Sequence, residues 1–244
     1  MVISEEKTIG ELAAEVPGAA RVFEKYGIDY CCGGKHPIKS ACQERGIALE
    51  ALEDELDQAA ASKPEPADRD WNQAPLRDLI GHILLRHHAY LRSALPRIAE
   101  LFAKVVSIHG ERQPVLFQVR EIFTALHEEL DTHMMKEDLL LFPAIGKLES
   151  GLHPPVSSID KPINRMEDEH ETADRALLEM RRLTHDYAIP DFACGSYRAL
   201  FAALVELESD LHRHIHLENN ILFPRAEKLE TREAKTATGG SRAE

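Results

Sequence analysis

One eleven-residue pattern occurs twice in this chain, and it constrains what the chain can become more than any other feature. Residues His133–Pro143 read HMMKEDLLLFP and residues His214–Pro224 read HIHLENNILFP, with His, Glu, Leu, Phe and Pro at identical offsets, 81 residues apart. On an α-helix, positions i and i+4 lie one turn apart on the same face, so each copy presents an imidazole and a carboxylate together. In the first copy the apolar rhythm runs Val119, Ile122, Leu126, Leu130, then His133 and Glu137, then Leu140 and Leu141. In the second it runs Leu200, Leu204, Leu207, Leu211, then His214 and Glu218, then Ile221 and Leu222. Both polar pairs therefore fall on core-facing positions.

A carboxylate held out of water without compensation costs several kcal/mol. A bound metal compensates most directly, and imidazole nitrogen with carboxylate oxygen is a ligand set for iron, manganese or zinc. A single His-x3-Glu is more simply a buried hydrogen bond. Two matched copies with matched flanks favour the metal.

The 244 residues are 43% hydrophobic, enough for one sizeable core and a small second domain. A formal net charge of −13 argues against a nucleic-acid or anionic-membrane partner. No run approaches the roughly 18 apolar residues of a membrane span. The N-terminus shows no secretory signal, and Cys31, Cys32, Cys42 and Cys194 have no disulfide-framework spacing, so a reducing cytoplasm is expected.

The fold expected is all-α. Residues 1–58 read as a small helical module, with Thr8 capping a first helix, Gly27 stopping a second, and Cys31-Cys32-Gly33-Gly34 in a tight turn. That turn reads either as a buried cysteine with glycines supplying positive φ, or as an accessible thiol pair, Cys31 and Cys32, for redox, metal or nitrosyl chemistry. For Cys42 and Cys194, packing is the reading. Residues 59–70 read as a Pro-containing linker and 231–244 as a disordered tail. Between them, 71–230 hold four long helical patterns, from about Pro75 to Lys104, Pro114 to Lys147, Pro162 to Tyr187 and Gly195 to Leu229. Their connections predict an up-down-up-down four-helix bundle, kinked near Pro143 and Pro224.

The remaining two helices supply the rest of the site. His170 interrupts the stripe Ile163, Met166, Ala173, Leu177, Met180 at a core position. His88 follows Leu84 by one turn, with His87 as its rival. The repeat favours His88, since His170 precedes His214 by 44 residues and His88 precedes His133 by 45. The ligand set is then His88, His133, Glu137, His170, His214 and Glu218. Six ligands exceed one tetrahedral zinc but suit two ions bridged by Glu137 and Glu218 with an added oxo or hydroxo group, and redox-active iron is favoured. Glu129, one turn before His133, and Glu169, beside His170, are candidates to orient ligand imidazoles or relay protons. His212 and His216 are expected on solvent-facing sides.

The Cys31-Cys32-Gly33-Gly34 module, followed by His88, His133-x3-Glu137, His170 and His214-x3-Glu218, resembles the bacterial di-iron repair-of-iron-centres proteins, a hemerythrin-like domain behind a short cysteine-containing one. The resemblance covers about residues 5–229. It implies a non-haem centre of two iron ions and repair of iron–sulfur clusters damaged by nitric oxide or peroxide, with iron donated to damaged iron–sulfur proteins as clients. It also implies an alternative: a cytoplasmic nitric oxide-binding protein, or a nitric oxide reductase at the di-iron centre, with nitric oxide or oxygen species as small ligands. A monomer or homodimer is expected. The second Glu stands where oxygen-carrying hemerythrins have a different pattern, which argues against reversible oxygen carriage.

Overall fold

The apolar stripes read from the sequence all become helix in the computed structural model, which describes residues 4, 6–61, 70–152 and 158–239, with no strand among them beyond an isolated Thr8–Pro37 bridge. The chain groups into two units. One comprises Met1–Gly81, Ile145–Ile159 and His212–Glu244, the other His82–Ala144 and Asp160–Leu211.

In the first unit, α1 (Ile9–Glu15) starts at Thr8. The Thr8 hydroxyl accepts from the Glu11 N–H while the Glu11 carboxylate accepts from the Thr8 N–H, a reciprocal cap. Helix α2 (Ala19–Tyr26) lies between Gly18 and Gly27, both left-handed at φ 79° and 64°, which side chains on Cβ disfavour. Helices α3 (Ile38–Arg45) and α4 (Leu49–Ala61) follow, and Leu12, Phe23, Ile38, Leu52 and Leu56 are fully buried among them. Most of the expected 59–70 linker lies outside the described residues. Helix α5 (Leu76–His82) is capped from far along the chain, because the Glu149 carboxylate accepts from the Leu76 and Arg77 N–H groups at 2.5 and 2.9 Å. Arg225 donates to the Trp71 and Ala74 carbonyls just before it.

The second unit is a four-helix bundle. It holds α6 (Ala89–His109), α7 (Val115–Lys136), α9 (Asp160–Thr184) and α10 (Gly195–Leu217) as far as Leu211, with α8 (Phe142–Glu149) beginning in it. Residues at the start of α6 meet residues past the end of α7 (His88 with Asp138) and late α10 residues (His87 with Asp210), while Arg181 late in α9 meets Glu208 of α10. His133 late in α7 meets Glu169 early in α9. Neighbours are thus antiparallel, up-down-up-down.

Among the described residues three π-helical turns interrupt the α-helical runs, at Ile83–His88, Glu137–Leu141 and Glu218–Leu222, and they explain where the sequence stripes slip. Each wider turn adds a residue and rotates the helix beyond it. Leu140, expected inward, is 63% exposed, and Leu141 with Phe142 is buried instead; Ile83 rather than Leu84 is buried. Pro143 and Pro224, where kinks are expected, each lie two residues past a π turn. The run expected to end near Leu229 in a disordered tail continues as α11 (Phe223–Gly239); residues 240–244 lie outside the described residues.

Within the first unit Asn220 wedges between two glycines. Its Nδ2 donates to the Tyr30 carbonyl at 3.0 Å and meets His216 Nδ1 at 3.1 Å, and a Cβ on Gly10 or Gly34 would sit 2.1 or 2.3 Å from its Oδ1. His216, expected toward solvent, is 7% exposed. Burial pushes its pKa down to about 4, offset in part by the Tyr30 carbonyl. A histidine kept neutral by the fold contributes stability above its ordinary pKa of 6.5 and loses it as pH falls toward 4, by about 3 kcal/mol in all. Denaturant titrations between pH 7 and 4 should show this loss, and it should shrink in His216→Gln. Gly10→Ala should cost about 1–3 kcal/mol in the same assay, with part of the loss recovered in the Gly10→Ala/Asn220→Ala double variant.

Candidate metal centre

Four of the six sequence-assigned ligands lie in the second unit. The α7 stripe Leu116, Val119, Phe123, Leu126, Leu130 places His133 on the core side, and Glu137 opens the π turn one helical turn later. His88 closes the π turn before α6, and His170 holds the core position in α9 between Met166 and Ala173. His88 and Glu137 are wholly buried, His133 and His170 nearly so. The nitrogens and oxygens of His133, Glu137 and His170 that could ligate lie within 4.8 Å of one another.

The chemistry of the donor set tests whether a cation fits. His88 Nδ1 is 2.9 Å from an Asp138 carboxylate oxygen, and His133 Nδ1 is 3.0 Å from Glu169. A carboxylate can only accept here, so each imidazole carries its proton on Nδ1, and a neutral ring then presents a lone pair at Nε2. Both Nε2 atoms lie 3.3 Å from the same Glu137 oxygen, and His170 Nε2 lies 3.1 Å from His133 Nε2. Lone pairs facing lone pairs repel unless a positive centre lies among them. Two donors about 2.1 Å from one ion are about 3.0 Å apart at right angles and about 3.4 Å apart at the tetrahedral angle, so these separations suit edges of a coordination polyhedron. The residues fit a divalent cation.

The outer carboxylates are themselves anchored. Asp138 is ion-paired to Arg92, and Glu169 accepts from Lys136 at 2.5 Å and Arg165 at 3.0 Å. The hydrogen bond from His133, then those from Lys136 and Arg165, hold the Glu169 carboxyl down at about 2 against the desolvation that would raise it. Glu169 thus takes the place beside His133. Glu129, the other acid considered, is half-buried and makes no hydrogen bond or ion pair among the described residues. Asp138 escaped sequence reasoning; its position directly after Glu137 was the only available signal, and its contact with His88 spans 50 residues. His87, the rival of His88, pairs instead with Asp210 at 3.1 Å.

The first unit holds the other pair. His214 Nε2 lies 2.9 Å from Glu218 Oε1, at the last turn of α10 and the start of its π turn, both fully buried. This repeats the His133–Glu137 arrangement, π turn included. The next two residues reach the cysteine loop: Asn219 and Asn220 donate to the Cys31 carbonyl at 3.5 and 3.4 Å. Asp29 gathers that loop by accepting from the N–H groups of Cys31, Cys32 and Gly33. Cys31 is buried with Sγ 3.2 Å from Asp29 Oδ1, Cys32 is half-buried, and the two sulfurs are 3.9 Å apart and not joined in a disulfide. Replacing Glu169 with Gln or Asp138 with Asn should loosen the imidazole each one holds and weaken metal binding about 10- to 100-fold, read by competition with a chromophoric chelator.

Comparisons with known proteins agree with this geometry. Residues 79–226 match the Hemerythrin HHE cation binding domain, and residues 5–60 match ScdA_N, a domain of unknown function. The iron-sulfur cluster repair protein YtfE of Pectobacterium carotovorum subsp. carotovorum is 38% identical over 222 residues, 91% of this chain and 96% of that protein. The protein of the same name from Escherichia coli O157:H7 is 39% identical over 221 residues, again 91% and 96%. No helix among the described residues is long and apolar enough to cross a membrane. With the paired His and Glu residues buried as a cation would need them, and with both parts of the chain matched in order, this protein belongs to the hemerythrin-like family of iron–sulfur cluster repair proteins.

Proposed function

We propose that the protein repairs iron–sulfur clusters damaged by nitrosative or oxidative stress, and that it does so by donating iron from a site of two ions. His88, His133, Glu137, His170, His214 and Glu218 would hold the pair, with Glu137 and Glu218 bridging. The observation that carries this reading is the pair of outer carboxylates, Asp138 on His88 and Glu169 on His133, which turn two buried Nε2 lone pairs toward one Glu137 carboxylate. The His214–Glu218 pair, equally buried and set on the same kind of turn, supports a second, equivalent half. When bound, iron supplies Lewis acidity, one-electron chemistry and the material to be transferred.

The protein's own groups give such a site two properties. Only two carboxylates against four neutral imidazoles leave divalent ions under-neutralised, which favours small anionic or polar ligands at remaining positions. The outer acids link the imidazoles to Arg92, Lys136 and Arg165, so protonation or displacement of Asp138 or Glu169 would loosen a ligand without disturbing the helices.

Purified iron-loaded protein should restore activity to an iron–sulfur enzyme inactivated with nitric oxide or peroxide. Glu137→Gln and Glu218→Gln should each lower bound iron and lower restoration at least tenfold while leaving far-ultraviolet helicity unchanged. Tight stoichiometric binding of nitric oxide without restoration of any client would instead favour a gas-binding protein, and nitrous oxide formed over many turnovers a reductase.

A further inference from the structure

A cysteine and a histidine that the proposed repair activity leaves unused meet 85 residues apart in sequence. Cys194 directly precedes α10, and its Sγ lies 3.2 Å from Nε2 of His109, the last residue of α6. His109 is only 8% exposed, held edge-on by Tyr197 with centroids 5.4 Å apart and flanked by Phe192 at 5.9 Å. Cys194 itself is a free, half-buried thiol. A cysteine packed as a small hydrophobe needs no polar partner. Here a nine-tenths buried imidazole aims a ring nitrogen at the sulfur, an arrangement that stabilises charge there.

The backbone contributes in the same sense. The Ser196 and Tyr197 N–H groups, in the first turn of the 23-residue α10, also favour negative charge on the sulfur. The His109 hydrogen bond first, then these N–H groups, bring the Cys194 thiol down to about 7 from an ordinary 9.0. His109 is the titratable side chain that faces the sulfur from α6, and α10 acts on it through backbone alone.

From the Cys194–His109 geometry we infer a site of reversible oxidation by a hydroperoxide, with His109 as proton carrier. The Cys194 proton passes to His109, and the thiolate attacks one peroxide oxygen. The S–O bond forms as the O–O bond breaks, so sulfur is oxidised to the sulfenic acid and the peroxide is reduced. The leaving oxygen takes the proton from His109 and departs as water or alcohol. A low-molecular-weight thiol then condenses with the sulfenic acid, releasing water and leaving a mixed disulfide, and a second thiol restores Cys194 with loss of the small disulfide.

Site-resolved mass spectrometry of the full chain tests this, with iodoacetamide rates measured across pH and with a dimedone trap during exposure to hydrogen peroxide. Cys194 should alkylate with a midpoint near pH 7. At pH 7 about half the thiol is ionised, against about 1% for one titrating at 9. The lower basicity gives back about six- to tenfold in nucleophilicity, so the net advantage over an ordinary thiol is about five- to eightfold. In His109→Gln the midpoint should rise toward 9 and trapping at pH 7 should fall by up to about five- to eightfold. His109→Phe, which keeps the aromatic packing, should behave alike. A wild-type midpoint near 9, a midpoint that neither substitution moves, or no trapped sulfenic acid at Cys194 would overturn the assignment.

Discussion

A carboxylate with no exposure to water is the constraint on which the rest of this structure depends. Glu137 and Glu218 are both 0% exposed. Burying such a charge without compensation costs several kcal/mol, against a net folding stability of about 5–15 kcal/mol for a typical domain. Two of them would consume most of that margin. In the second unit the compensation is organised in shells: imidazoles from three helices face Glu137 or one another, and acids hold two of those imidazoles by Nδ1. Cations on the bundle's surface, Arg92, Lys136 and Arg165, hold the acids. Each layer fixes the orientation of the next, and the innermost layer is complete only with a positive ion.

The helical turn that carries Glu218 has a second task. Asn219 and Asn220 come directly after it and bond the Cys31 carbonyl, and Asn220 fits against Gly10 and Gly34, where a methyl group has no room. The thiol-bearing loop is therefore tied to the ligand turn through two consecutive side chains. This is a physical reason for a small cysteine module and the His214-x3-Glu218 helix to occur in one chain, and it agrees with the two family matches lying in sequence order.

Much of the candidate site was legible because its His and Glu residues obey the same 3.6-residue period as the core. His133, Glu137, His170, His214 and Glu218 stand out as polar residues on apolar stripes, and the 81-residue repeat separates them from chance. Stripe and repeat spacing together favour His88 over His87, and the structure gives each a different carboxylate partner. Period-based reading falters where the helix itself changes period. Leu84, Leu140, Pro143 and Pro224 all lie in or beside π turns, and no residue type announces a π turn in isolation.

The sequence by itself determined the all-α class, the four long helical runs and the inward-facing His and Glu residues, because these depend on patterns within one helix. Only the tertiary structure decided which acid holds which imidazole, that His216 is buried, and that His109 meets Cys194. Those pairings join residues 36 to 186 positions apart, and their distances depend on how helices pack rather than on any local preference of the chain.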